Sequence, residues 1–443
     1  MIGKILIANR GEIALRIVRA CRDLGIRSVV AHSTADRDSL ACALADERVC
    51  IGAGPAEQSY LRGDNIIMAA CLLRCDAIHP GIGFLSENAA FARQVEEAGL
   101  IFIGPESRTI ALVGNKVEAR RLAAEAGVPI TPGGEEALLD LDDAKRSARA
   151  LGYPVIIKAS AGGGGRGMRI VTGEAGLESA YRLAKKEALL FFADDGLHLE
   201  RYIQNPRHVE VQLLSDGQGT VVNLGERDCS IQKRHQKLFE ESPAPGLDSA
   251  MREAMASASS SLFRKLGYRG AGTVEFLVDG SSFYFMEVNA RLQVEHPVSE
   301  LVSGVDLVRS QIEIAQGKPL AFTQRDIALT GYALECRINA LGAGTIGRVR
   351  MPAGPQVRVD TAIESNSTLP AYYDSLLAKI IVSAKSREEG LSVMERALGE
   401  VIVEGVETNL DEQREILASK LFRCGKVHTG LYDEVIKKRR HNG

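Results

Sequence analysis

The stretch YPVIIKASAGGGGRGMRIV, residues 153–171, restricts this chain more than any other. Glycine gives up the most backbone freedom on folding and brings no side chain to bury. The run Gly162 to Gly165, then Arg166 and Gly167, must therefore serve the backbone itself. One such service is close approach of N–H groups to an anion such as a phosphate. Gly162, Gly164 and Gly167 fit G-x-G-x-x-G, but a dinucleotide fold needs a helix to open directly after the loop. Here PVIIK before the glycines and Met168-Arg169-Ile170-Val171 after them both read as strands, and Thr172-Gly173 closes the second as a turn. The stretch thus reads as a glycine-rich hairpin flap, with Lys158 aiming a cation at whatever the flap covers. A plain surface hairpin is the alternative, since glycine most often marks a turn.

The rest of the chain sets the context. Its 443 residues suggest roughly three domains. With 45% hydrophobic and 25% charged residues it has an ordinary globular composition. A formal net charge of −3 gives no basic excess for nucleic acid, and Lys437-Lys438-Arg439-Arg440 reads as a solvated tail. No apolar stretch approaches membrane-spanning length, and the N-terminus lacks the pattern of a signal peptide. The eight cysteines include no Cys-x-x-Cys, so they read as reduced, mostly packing thiols of a cytoplasmic protein.

The fold class expected is α/β and α+β, in several domains. In residues 1–114, KILIAN, SVVAHS, AIHP and FIGP alternate with helical segments, which predicts a wound parallel sheet. In residues 115–326, period-2 runs alternate with Asp-Gly turns, a mark of antiparallel sheet. Residues 327–443 open with GYALECRINA and are rich in short strands, with one helix between KIIVSA and VEGVETN.

Three clusters could carry chemistry. In the hairpin TVEFLV–Asp279-Gly280–FYFMEVN, Glu275 and Glu287 fall nearly opposite each other, with Asn289 on the same face. Like charges across a hairpin repel unless something lies between them. Two carboxylates and an amide oxygen suit Mg²⁺ or Mn²⁺. Directly after comes the polar loop Arg291-Leu292-Gln293-Val294-Glu295-His296. The third cluster, Glu226 to Lys237, interleaves cations with polar residues and fits either a small polyanion or a charged surface strand. A glycine flap, several lysines and a carboxylate pair together suit a nucleoside triphosphate without a Walker A sequence.

These residues resemble biotin carboxylase, the ATP-grasp subunit or domain of biotin-dependent carboxylases. The resemblance spans nearly the whole chain, through IANRGEIALRI, HPGIGFLSEN, KASAGGGGRGM, NPRHVEVQ, ERDCSIQKRHQK, YRGAGTVEF, EVNARLQVEHPV, ECRINA and YYDSLLAKI. It implies an ATP-grasp fold between an N-terminal α/β domain and a C-terminal β-rich domain. It implies Lys116 and Lys158 as ATP-phosphate lysines, and Gly163, Gly164, Gly165, Arg166, Gly167 and Met168 as the closing flap. Glu200, Arg201, Tyr202 and Ile203 match the adenine hinge, and His208, Gln232 and His235 match further nucleotide positions. Glu275, Glu287 and Asn289 match the divalent-metal site. Lys237, Arg291, Gln293 and Val294 match the bicarbonate pocket. Glu295 resembles the base that deprotonates bicarbonate, and Arg337 the arginine that steadies the biotin enolate.

The implied reaction is carboxylation of biotin on a separate biotin carboxyl carrier protein, using MgATP and bicarbonate. No methionine is followed by lysine, so the chain lacks a Met-Lys-Met biotinylation site, and a separate carboxyltransferase subunit is expected, most simply that of acetyl-CoA carboxylase. The family suggests a homodimer, with Arg16 and Arg19 as interface candidates. Departures from the family pattern are Ile82 for Tyr, Ala290 for Thr or Pro, Tyr332 for His, and a short segment at 341–350. They leave the ATP and bicarbonate positions intact and define the alternative: a divergent ATP-binding paralog that docks on carboxylase subunits. Another ATP-grasp ligase is a further alternative, but it would have no use for Arg337.

Overall fold

The structure is a computed structural model, and it describes residues 2–133, 137–160, 168–192 and 194–437. The N-terminal strands form a five-stranded sheet in the order Glu47–Gly52, Arg27–Ser33, Lys4–Ile7, Ala77–His79, Ile101–Phe102, with every pairing parallel. Side chains alternate across a strand, so Leu6 enters one core while Ile5 and Ile7 enter another on the opposite face. Burial on both faces is why these strands read as continuous apolar runs. The strand Glu47–Gly52 escaped the sequence reading: it is an edge strand whose exposed and half-buried residues alternate.

The second sheet has eight antiparallel strands, in the order Ser282–Asn289, Arg269–Asp279, Arg207–Asp216, Val221–Lys233, Gln236–Ser242, Tyr332–Asn339, Leu376–Ala384, Val357–Thr361. It runs without interruption past residue 326, because Gln236–Ser242 pairs with Tyr332–Asn339. A separate small sheet joins Met168–Val171, Val155–Ala159 and Leu197–Arg201 beside helices Leu141–Leu151 and Leu177–Phe192. Its core holds Val155, Ile157, Ala184 and Leu199. The hairpin read from the sequence is present here as antiparallel pairing, with Lys158 opposite Met168. Gly163, Gly164, Gly165, Arg166 and Gly167 lie outside the described residues.

The last part departs from expectation in one place. Of VEGVETN only Val403 lies in a strand, Ile402–Val403, which pairs with Val349–Arg350. Gly344–Thr345 pairs with Thr368–Leu369, and Ile346 between them is fully buried. The short 341–350 segment is thus pinned down as structure. Among the described residues, no helix is long and apolar enough to cross a membrane. All eight cysteines are free thiols, five of them buried.

Candidate active site

The hairpin Arg269–Asp279/Ser282–Asn289 sets the register of the site. Glu275 lies directly opposite Glu287 because a one-residue register shift between Glu275 and Phe276 moves the pairing from Met286, where the Asp-Gly turn alone would set it, to Glu287. Glu275 is buried and well paired. Its carboxylate accepts hydrogen bonds from Lys237 Nζ at 2.9 Å and Gln293 Nε2 at 3.1 Å, and lies 2.9 Å from His208 Nε2. Burial alone would raise its pKa, but Lys237 and His208 hold it well below the usual carboxylate range. Glu287 is different: its side chain is 37% exposed and its nearest cation, Lys116 Nζ, is 4.0 Å away. Burial and then the Glu275 charge push its pKa up. One neutralised and one under-neutralised carboxylate, with the buried Asn289 two residues on, form an oxygen donor set that fits a hard divalent cation.

Lys237 is the hub. It begins in a strand next to Val221–Lys233, and its ammonium meets Glu210 at 2.7 Å, Glu275 at 2.9 Å and Glu295 at 2.5 Å. Glu295 is buried and also accepts from Arg337 Nη2 at 2.8 Å. Burial pushes its carboxyl up, but Lys237, Arg337 and Arg227 overcome this and hold it below its usual value. Glu295 therefore stays ionised between two cations. Arg291 joins the same loop: Nε donates to Glu87 at 2.7 Å, Nη1 to Gln293 Oε1 at 3.1 Å and Nη2 to Asn289 Oδ1 at 3.2 Å. The Val294 carbonyl accepts from Lys379 Nζ at 2.8 Å.

The nucleotide candidates divide into two groups. His208 sits between Glu275 and Gln232, whose Nε2 is 2.7 Å from His208 Nδ1, in contact with the Lys237 cluster. Burial lowers the His208 pKa, but Glu275 more than offsets this and raises it. Lys158, Glu200 and the small sheet form the second group. Lys158 Nζ donates to Glu200 Oε2 at 2.7 Å, and Glu200 also accepts from Thr131 and meets Arg120 and His198. Glu200 is thus a buried anchor, its carboxyl held far down by His198, Lys158 and Arg120 against the effect of burial. Arg201 is exposed, Tyr202 half-buried and Ile203 buried on the chain that leaves this strand. His235 stands exposed at the turn between Val221–Lys233 and Gln236–Ser242, with a left-handed backbone.

The sequence reading missed Glu87, Glu210, Gln212 and Glu240, and placed Arg227 only within the cluster Glu226 to Lys237. Arg227 is fully buried and donates to Glu210 at 2.6 Å, Gln212 at 2.8 Å and Ser299 at 2.8 Å. The cluster Glu226–Lys237 is therefore mostly a buried polar strand, and the surface-strand alternative does not hold. Of the departures, Tyr332 acts through its side chain, while Ala290 and Ile82 make their polar contacts through the backbone. Tyr332 is buried with its hydroxyl donating to Glu241 at 2.5 Å, Ala290 donates its N–H to Glu87 at 3.0 Å, and the Ile82 carbonyl accepts from Asn9 at 2.7 Å. Arg16 is committed to Glu300 at 3.1 Å and Asp306 at 2.6 Å of its own chain, while Arg19 is exposed.

Residues 1–110 match the family model "Biotin carboxylase, N-terminal domain", residues 115–323 "Carbamoyl-phosphate synthase L chain, ATP binding domain", and residues 335–434 "Biotin carboxylase C-terminal domain". A biotin carboxylase of Allochromatium vinosum is 50% identical over 98% of this chain and 99% of its own length. The chain belongs to the biotin carboxylase family. Solved biotin carboxylases share the fold. The biotin carboxylase domain dimer of Hydrogenobacter thermophilus 2-oxoglutarate carboxylase, in complex with MgADP, ADP and bicarbonate, superposes with a TM-score of 0.94 at 43% identity, covering 100% of this chain and 98% of that one. A biotin carboxylase complex from Campylobacter jejuni gives a TM-score of 0.95 at 43% identity over 98% of this chain and 99% of that one. The chain thus has the ATP-grasp architecture of biotin carboxylases, and full-length likeness of this kind does not favour a non-catalytic paralog.

Proposed function

We propose that this chain carboxylates biotin, carried on a separate biotin carboxyl carrier protein, using ATP and bicarbonate by way of carboxyphosphate. The observation that carries the reading is the position of Glu295, a buried carboxylate kept ionised between Lys237 and Arg337. A base of this kind can take the bicarbonate proton. Lys237, Arg291, Gln293 and the Val294 backbone bind the bicarbonate and orient its oxygen toward the γ-phosphate. Lys116 and Lys158 hold the ATP phosphates, Glu200 to Ile203 the adenine side, and His208, Gln232 and His235 the remaining nucleotide contacts. Glu275, Glu287 and Asn289 would hold the Mg²⁺ or Mn²⁺ ion, which when bound offsets charge on the phosphate oxygens. Carboxyphosphate then gives CO₂ and phosphate, the phosphate takes the ureido proton, and Arg337 stabilises the biotin oxyanion while its nitrogen attacks CO₂.

The chain works as a homodimer in the cytoplasm, and a carboxyltransferase subunit passes the carboxyl group to the acyl acceptor, acetyl-CoA in the simplest case. Its domains divide at 1–114, 115–326 and 327–443. The test is ATP hydrolysis by the purified chain with Mg²⁺ and bicarbonate, with and without free biotin. Biotin-stimulated, bicarbonate-dependent ADP release is expected, and Arg337→Ala should cut the stimulated part by about 10²- to 10³-fold, as loss of one oxyanion donor does. ATP binding with no stimulated turnover in the parent chain would overturn the proposal.

A further inference from the structure

Beside Arg337 stand two glutamates that the proposed reaction does not use. Glu240 and Glu335 are directly opposite each other on adjacent antiparallel strands, and both are fully buried. Facing carboxylates destabilise a sheet when both are charged. Their surroundings do not neutralise two charges. Arg337 Nη2 is 2.5 Å from Glu240 Oε1 but is aligned as a donor to Glu295, and Arg337 Nε is 4.0 Å from Glu335 Oε1. Of the other charged groups facing the pair, Lys237 is shared by Glu210, Glu275 and Glu295, and Lys379 is held by Glu12, Asp360 and the Val294 carbonyl. Glu240 Oε2 and both Glu335 oxygens are buried without a hydrogen-bond donor, and Glu240 Oε1 has only its ion pair with Arg337 Nη2. A buried carboxylate in that condition is stabilised by a proton.

We infer that Glu240 and Glu335 share one proton at neutral pH and act as positioning residues that leave the Arg337 charge available to the substrate oxyanion. The inference rests on the proposed role of Arg337. Burial drives both carboxyls up, Glu240 to about 7; the Glu295 charge raises both, and Glu240 raises Glu335. When the shared proton leaves, Arg337 faces a second full negative charge and is drawn toward its own carboxylates. Its hold on the biotin oxyanion then weakens.

The test uses Glu335→Gln, with Glu240→Gln as the second variant. In the parent, kcat/KM for biotin should fall on the alkaline side by up to about tenfold per pH unit, and in each variant that fall should move to higher pH. Melting temperature provides a readout that needs no turnover. A carboxyl whose pKa is raised in the fold contributes its full stability below the unfolded pKa, loses it progressively as pH rises, and has lost it above the folded pKa. The melting temperature of each variant relative to the parent should therefore climb as pH rises from about 4.3, the unfolded glutamate value, and level off once pH has passed the raised folded pKa. A gap that stays constant with pH, or an unchanged alkaline limb in both variants, would overturn the inference. A parent that shows the climbing gap but no biotin-stimulated turnover would sink the proposed function and leave the shared proton standing.

Discussion

Glu295, the proposed base, shows how a buried carboxylate can stay ionised. Its desolvation is offset by Lys237 at 2.5 Å and Arg337 at 2.8 Å, and the balance holds its pKa below the ordinary carboxylate value. The sign follows directly: the base form persists through neutral pH and is lost only as pH falls through a lowered pKa. Any acid limb of bicarbonate-dependent turnover due to Glu295 should therefore lie below the unperturbed glutamate value of about 4.3. Glu295→Gln keeps the shape and removes the proposed base, so turnover should drop by about 10²- to 10⁴-fold, with ATP binding retained by calorimetry. Equal loss of binding and turnover would show that Glu295 holds the site together and does not act as its base.

At the scale of the element, the hairpin Arg269–Asp279/Ser282–Asn289 was legible because its signals are local. Alternation and the Asp279-Gly280 turn bring the two glutamates near each other, and a register shift between Glu275 and Phe276, which nothing local marks, sets Glu275 directly opposite Glu287. Glu210 was not legible. In HVEVQ, Val209 and Val211 point to one side and Glu210 and Gln212 to the other, a pattern that reads as one apolar and one solvated face. The second face is covered by Arg227 and Lys237, which arrive from a strand pairing that leaves no local mark in the sequence. Glu87 escaped for the same reason, since its partner Arg291 is 204 positions away. The hairpin also carries a packing limit. A Cβ at Gly272 would lie 2.4 Å from the Tyr268 hydroxyl oxygen and 2.9 Å from Phe263, whose rings stack at 4.1 Å. Gly272→Ala should cost about 1–3 kcal/mol through overpacking, seen as a lower denaturant midpoint with an unchanged m-value. No loss of stability would mean that the stacked pair yields.

Across the whole molecule, the eight-stranded sheet joins the nucleotide-binding and C-terminal regions, and Lys379 ties the N-terminal region to both. It is fully buried on strand Leu376–Ala384, 3.1 Å from Glu12 of helix Gly11–Asp23 and 3.7 Å from Asp360. The same ammonium donates to the Val294 carbonyl, in the loop proposed to hold bicarbonate. Arg358 extends the network to Asp360 at 2.8 Å and Glu300 at 2.7 Å, and Glu300 reaches back to Arg16 of the first helix at 3.1 Å. Removing one partner from such a buried cluster leaves uncompensated charge, which costs about 3–5 kcal/mol. Lys379→Met keeps the stem and deletes the charge, so it should lower stability by that amount. Because the Val294 carbonyl loses its donor, KM for bicarbonate should rise while KM for ATP stays near the parent value. Both KM values rising together would instead mean that the cluster supports the fold alone and does not shape the bicarbonate loop.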